Sequence, residues 1–112
     1  MQDRELTHND VPDLRGKNVL LVEDSPDDAQ SYAAILVAAG ARVETVGSLG
    51  GALQALGNRR WDLLVADRLL PDGDMFEWLR RQHHDHGPGA WLPACVLVSR
   101  NRTRTRTVWF TS

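Results

Sequence analysis

Val19-Leu20-Leu21-Val22-Glu23-Asp24-Ser25-Pro26-Asp27-Asp28 is the stretch on which the reading of this chain turns. Its four branched apolar residues in a row predict a short strand buried on both faces, the pattern of parallel sheets. The run stops abruptly at two acids. A helix start follows: Asp24 or Ser25 as N-cap, Pro26 in the first turn, and Asp27 and Asp28 beside the positive end of the helix dipole. The helix should pass through Tyr32, Ile35 and Leu36 and stop at Gly40.

The same alternation of elements continues downstream. Arg42–Val46 is partly polar and suits a sheet edge, and a weaker helix is expected over Ser48–Leu56. Gly50 and Gly51 each cost that helix up to about 1 kcal/mol relative to alanine. Trp61–Ala66 reads as a third, apolar strand ending at Asp67. After Pro71-Asp72-Gly73, Asp74 can cap a helix from Met75 to about His83, with Phe76, Trp78 and Leu79 turned inward. A turn at Gly87-Pro88-Gly89 then leads to a fourth strand, Ala94–Val98. The order β-α-β-α-β-α-β predicts an α/β fold, a doubly wound parallel sheet with right-handed crossovers.

The chain has 112 residues, of which 42% are hydrophobic and 25% charged, which fits one globular domain. No apolar run approaches the roughly 20 residues of a membrane-spanning helix. Residues 1–16 are polar, lack the order of a secretion signal, and read as a flexible leader. The single cysteine, Cys95, excludes an intramolecular disulfide and suits a reducing cytoplasm. Charge is unevenly spread. Residues 1–85 carry 9 basic and 15 acidic groups, a net −6, whereas residues 86–112 carry four arginines and no acid.

In open parallel sheets, ligands bind where the carboxyl ends of strands meet a change in strand order. Glu23-Asp24 and Asp67 end the first and third strands, so adjacent strands would bring three carboxylates together. Such a cluster favours a hard cation. Mg²⁺ takes oxygen ligands and contacts one or two carboxylates while keeping several waters. A carboxylate held there can also act as a nucleophile towards phosphorus. For Asp27 and Asp28, helix capping and solubility are sufficient reasons. Gly47-Ser48-Leu49-Gly50-Gly51 is no phosphate loop, since it lacks the lysine that reaches the phosphates.

Residues 17–100 resemble the receiver domain of bacterial two-component response regulators, the CheY-like, flavodoxin-like fold with strand order 2-1-3-4 in its first four strands. Val19–Asp24 is similar to the family's first strand and acidic pair, Asp62–Gly73 to the segment around its phospho-accepting aspartate, and Val96–Ser99 to its fourth strand. The resemblance implies that Asp67 accepts a phosphoryl group from a histidine kinase or phosphotransfer protein. It also implies that Glu23, Asp24, Asp67 and the Leu69 carbonyl hold Mg²⁺, and that Ser99 is the switch hydroxyl. On this reading the chain is a cytoplasmic signalling module and not an enzyme. The alternative is a receiver-like module that docks partners without being phosphorylated.

The departures are equally specific. The family's fifth strand, its terminal lysine and its fifth helix have no match in the 13 residues after Ser99, so the domain reads as truncated after the fourth strand. The sole lysine, Lys17, precedes the first strand, leaving Arg68 and Arg100 as nearby cations. Residues 101–112 form a separate tail. Arg102-Thr103-Arg104-Thr105-Arg106-Thr107 alternates strictly and leads to Val108-Trp109-Phe110. Docking on the open edge beside the fourth strand is preferred over nucleic-acid binding, because natural sheets cover such edges. Exchange of this tail between copies predicts a homodimer.

Overall fold

The computed structural model describes residues 2–5, 13–67, 69–86, 93–100 and 105–110. They form β1 (Gln2–Glu5), β2 (Asn18–Val22), α1 (Pro26–Ala38), β3 (Arg42–Val46), α2 (Leu49–Asn58), β4 (Leu63–Asp67), β5 (Leu69–Leu70), β6 (Gly73–Asp74), α3 (Met75–His86), β7 (Ala94–Arg100) and β8 (Thr105–Phe110). The main sheet runs β1-β8-β7-β4-β2-β3. Within it β3, β2, β4 and β7 are mutually parallel. In the order expected from sequence these are strands 2-1-3-4, with β3 at the edge as its polarity requires. The Gly87-Pro88-Gly89 turn and Arg68 lie outside the described residues.

Alternate residues of β2 enter two different cores, so its apolar run has no polar side. Leu20 and Val22 pack with Leu64 and Ala66 of β4 against Ala52 and Ala55 of α2 and Met75 and Leu79 of α3. Val19 and Leu21 pack with Leu63 and Val65 on the opposite face, covered by Leu36 of α1. Each such side chain removed from water contributes about 1.5–3 kcal/mol. Phe76 and Trp78 sit at the margin of the first core.

The helix ends follow their local chemistry. Ser25 is the N-cap of α1, accepting from the Asp28 N–H, and Pro26 opens the first turn. At the far end Gly40 has φ +98°, the left-handed region that favours glycine. Its N–H donates to the Val37 carbonyl, and the next N–H, of Ala41, reaches back to Leu36. These two bonds satisfy carbonyls the helix would otherwise leave open. Asp74 accepts from the Glu77 N–H at 3.2 Å and so caps α3 as expected. Below the sheet, Asp62 accepts from the Asn18 N–H at 2.8 Å, tying the starts of β2 and β4 together.

Two expectations are corrected at the edge beside β7. The tail does not need a second copy: β8 pairs antiparallel with β7 of its own chain, from Cys95↔Phe110 to Arg100↔Thr105. Only residues 101–104 separate the two strands, and a short link brings an antiparallel neighbour into place without the entropy cost of association. Residues 101–104 themselves lie outside the described residues. The leader is likewise not wholly flexible. Gln2–Glu5 pairs antiparallel with β8, and the Leu14 N–H donates to the Ala39 carbonyl while its side chain joins the α1-side core. Both segments supply backbone partners to an edge that would otherwise stay open. The sheet therefore extends beyond residues 17–100 at both ends of the chain. Among the described residues no helix is long and apolar enough to cross a membrane.

Leu64 is fully buried between the β2 and β7 side chains. Leu64→Ala should cost about 2–5 kcal/mol, read as a lower urea midpoint with an unchanged denaturant slope. A cost below the low end of that range would place the core elsewhere. Cys95 supplies a pH test. Burial pushes its thiol up from 9.0 to about 12, and the thiol donates to the Pro93 carbonyl at 3.1 Å. The unfolded thiol ionises first, so stability present below 9.0 is lost as the pH climbs towards about 12. Urea melts across that window should show this loss in the wild type and less of it in Cys95→Ala.

Candidate functional site

β2 and β4 run side by side with Val22 opposite Ala66, so the residues that follow, Glu23 and Asp67, leave the sheet at the same edge. One carboxylate oxygen from each of Glu23, Asp24 and Asp67 lies within 4.8 Å of the others. Glu23 is only 3% exposed, Asp24 is exposed, and Asp67 is partly covered. The position of Glu23 is fixed from two sides. Its N–H donates to the Val46 carbonyl at 2.9 Å, extending the β2–β3 ladder by one step. Its Oε1 accepts from the Ser25 N–H at 3.0 Å. The residue that caps α1 thus also orients the buried carboxylate.

Three like charges at this separation repel, and burial of one of them strengthens the repulsion. The donors are all hard oxygens, with neither thiol nor imidazole among them. That chemistry fits Mg²⁺ or a similar hard divalent cation and disfavours the softer metals that seek nitrogen or sulfur. Among the described residues this is the one cluster of acids, histidines or cysteines close enough to share an ion.

The remaining expected residues are placed by backbone. Leu69 opens a two-strand hairpin, β5–β6, in which it pairs with Asp74 and Leu70 with Gly73. Asp67 pairs with Val98, so Ser99 is the next residue along β7 at the same end of the sheet. In the following pairings Ser99 is opposite Arg106, and Arg106 is opposite Glu5. Lys17 precedes β2, at the other end of the sheet from the acids.

Sequence reasoning missed one contact beside the site. Asp72, at the tip of the β5–β6 hairpin, accepts from the Leu49 N–H at 2.7 Å and the Gly50 N–H at 2.9 Å. These donors open α2, and they hold the Asp72 carboxyl below its ordinary range, Gly50 most strongly. Ser48 adds a local cap, accepting from Gly51 at 3.0 Å. Of the two glycines counted above as a helix cost, Gly51 is the more tightly placed. A side-chain carbon on Gly50 would lie 3.4 Å from the Asp72 carboxylate, and one on Gly51 3.3 Å from Val46. On Gly73 it would collide with the end of Leu49. Pro71-Asp72-Gly73 announces a turn but not a partner 23 residues earlier.

Solved structures share this fold over most of the chain. A sensor protein from a Polaromonas species is 29% identical with a TM-score of 0.65, the match covering 77% of this chain and 67% of that one. A signal receiver domain of a histidine kinase from Syntrophus aciditrophicus is 32% identical with a TM-score of 0.57, over 62% of this chain and 52% of that one. A chemotaxis response regulator of Vibrio cholerae is 25% identical with a TM-score of 0.61, over 72% and 66%. The chain has the CheY-like receiver fold. It spans between about half and two thirds of the length of these three chains. No protein-family model and no curated relative matches it.

In this receiver fold the acid cluster should cost stability when no cation is present. Asp67→Asn removes one of the three charges, so in a chelator its thermal midpoint should exceed the wild type's by a few degrees. A lower midpoint in the variant would show that the carboxylate is held by favourable contacts that outweigh the repulsion.

Proposed function

We propose that this chain is a phospho-accepting receiver of a two-component system, modified on Asp67 by a histidine kinase or phosphotransfer protein in the cytoplasm. The observation that carries the reading is the convergence of Glu23, Asp24 and Asp67 at the carboxyl edge of a receiver sheet. A carboxylate oxygen of Asp67 attacks the phosphorus of a phosphohistidine. The new bond is an acyl phosphate, the bond that breaks is N–P, and the imidazole nitrogen leaves with the electron pair. Glu23, Asp24, Asp67 and the Leu69 carbonyl would hold Mg²⁺, which when bound offsets charge on the phosphoryl oxygens. Ser99 would supply the hydroxyl that donates to the phosphoryl group. The chain accepts a group and returns itself modified, so it is a signalling domain rather than an enzyme.

A second reading, a receiver-like module that docks a partner or a second copy without phosphorylation, is favoured by one observation. The chain's one lysine, Lys17, precedes β2 rather than standing at the acid edge, so no ammonium can balance the phosphoryl charge there. A guanidinium is not its geometric equivalent.

Incubation with a small acyl-phosphate donor and Mg²⁺, followed by intact mass, separates the two. Phosphoryl transfer to Asp67 predicts a gain of one phosphoryl group that is lost in Asp67→Asn and reduced in Asp24→Ala. An unmodified wild type under conditions that label a control receiver would favour the docking reading.

A further inference from the structure

We infer that Asp72 is the positioning residue of this site, pinning the β5–β6 hairpin to the first turn of α2 and so holding the Leu69 carbonyl where the Mg²⁺ reading would use it. The inference rests on the Mg²⁺ reading above. Its own basis is a pair of contacts between the hairpin that follows Asp67 and the start of α2. Leu69 follows Asp67 by two residues and would be carried on a hairpin of two paired residues a side, too short to be stable alone. The Pro71-Asp72 turn at its tip touches solvent. What fixes it is the pair of bonds from Leu49 and Gly50 to the two carboxylate oxygens of Asp72.

Gly73 lets the hairpin come close to the Leu49 side chain. An ionised acceptor at a helix N-terminus makes shorter and stronger bonds than a neutral one. Asp72 is not a member of the acid cluster, and its two bonds go to the start of α2, so its effect passes through the hairpin backbone. Residues that orient metal ligands in this indirect way typically change affinity by about 10–100-fold when lost.

The test is a Mg²⁺ titration of the full chain followed by amide NMR, comparing wild type, Asp72→Asn and Asp72→Ala, with amide hydrogen exchange measured alongside. The inference expects the Asp72→Ala dissociation constant to rise about 10-fold. Asp72→Asn, which keeps a carbonyl acceptor, should fall between the two. Exchange should speed up at Leu49 and Gly50, and metal-free amide shifts should move at Leu69 and Leu70. A purely structural cap would lower the thermal midpoint and leave the Mg²⁺ affinity of the folded protein unchanged. If the wild type saturates with Mg²⁺ and both variants bind equally well, the inference is overturned while the metal reading stands. If the wild type shows no saturable response, the metal reading itself fails and takes the inference with it. Should Asp72→Ala not fold, the isosteric Asp72→Asn decides the matter alone.

Discussion

Burial of Val19–Val22 from both sides is the constraint from which the remaining architecture follows. A strand with no polar face must lie between two helical layers and between two neighbouring strands, and β2 does both. Its two neighbours, β3 and β4, are reached by crossovers in opposite directions. A gap between diverging connections therefore opens at the carboxyl ends of β2 and β4. The apolar run has to end where the layers end, and there the chain places Glu23 and Asp24, with Asp67 alongside. The acid cluster is a product of that geometry: the same pairing that dries the middle of the sheet brings three carboxylates to its rim.

The far edge of the sheet solves a different problem. A receiver with four parallel strands would leave β7 with open backbone groups, and β8 occupies that place in the antiparallel sense, with β1 beyond it. Antiparallel pairing needs only a short connection, whereas a parallel strand needs a helix-length crossover. Arg106, on a strand running the other way, holds the register position opposite Ser99.

The central elements were legible in the sequence because their signals are local. Val19–Val22 and Leu63–Ala66 are continuous apolar runs, Ser25-Pro26 and Asp74 are caps, and Gly40 supplies the left-handed stop. The three acids were legible because strand ends can be counted once the strands are known. Features that depend on distant partners were not. Asp72 looks like an ordinary turn residue, and the N–H groups that donate to its carboxylate lie at the start of α2, more than 20 residues earlier. Gly51 reads as a weakness of α2 by propensity, while its close approach to Val46 depends on the packing of α2 on β3. Gln2–Glu5 carries no apolar alternation, and its pairing follows from the edge that β8 presents, which no local pattern in residues 1–16 encodes.

The account stands on Glu23, Asp24 and Asp67 forming one divalent-cation site, and Mn²⁺ reports on that most directly. It accepts the same hard oxygen ligands as Mg²⁺, and its unpaired electrons broaden nearby amide signals. Substoichiometric Mn²⁺ should broaden Glu23, Asp24, Asp67 and the Leu69–Asp74 hairpin first, leave Lys17 and Asn18 sharp, and lose its effect on addition of excess Mg²⁺. Broadening centred elsewhere, or spread evenly over the acidic surface, would contradict the account.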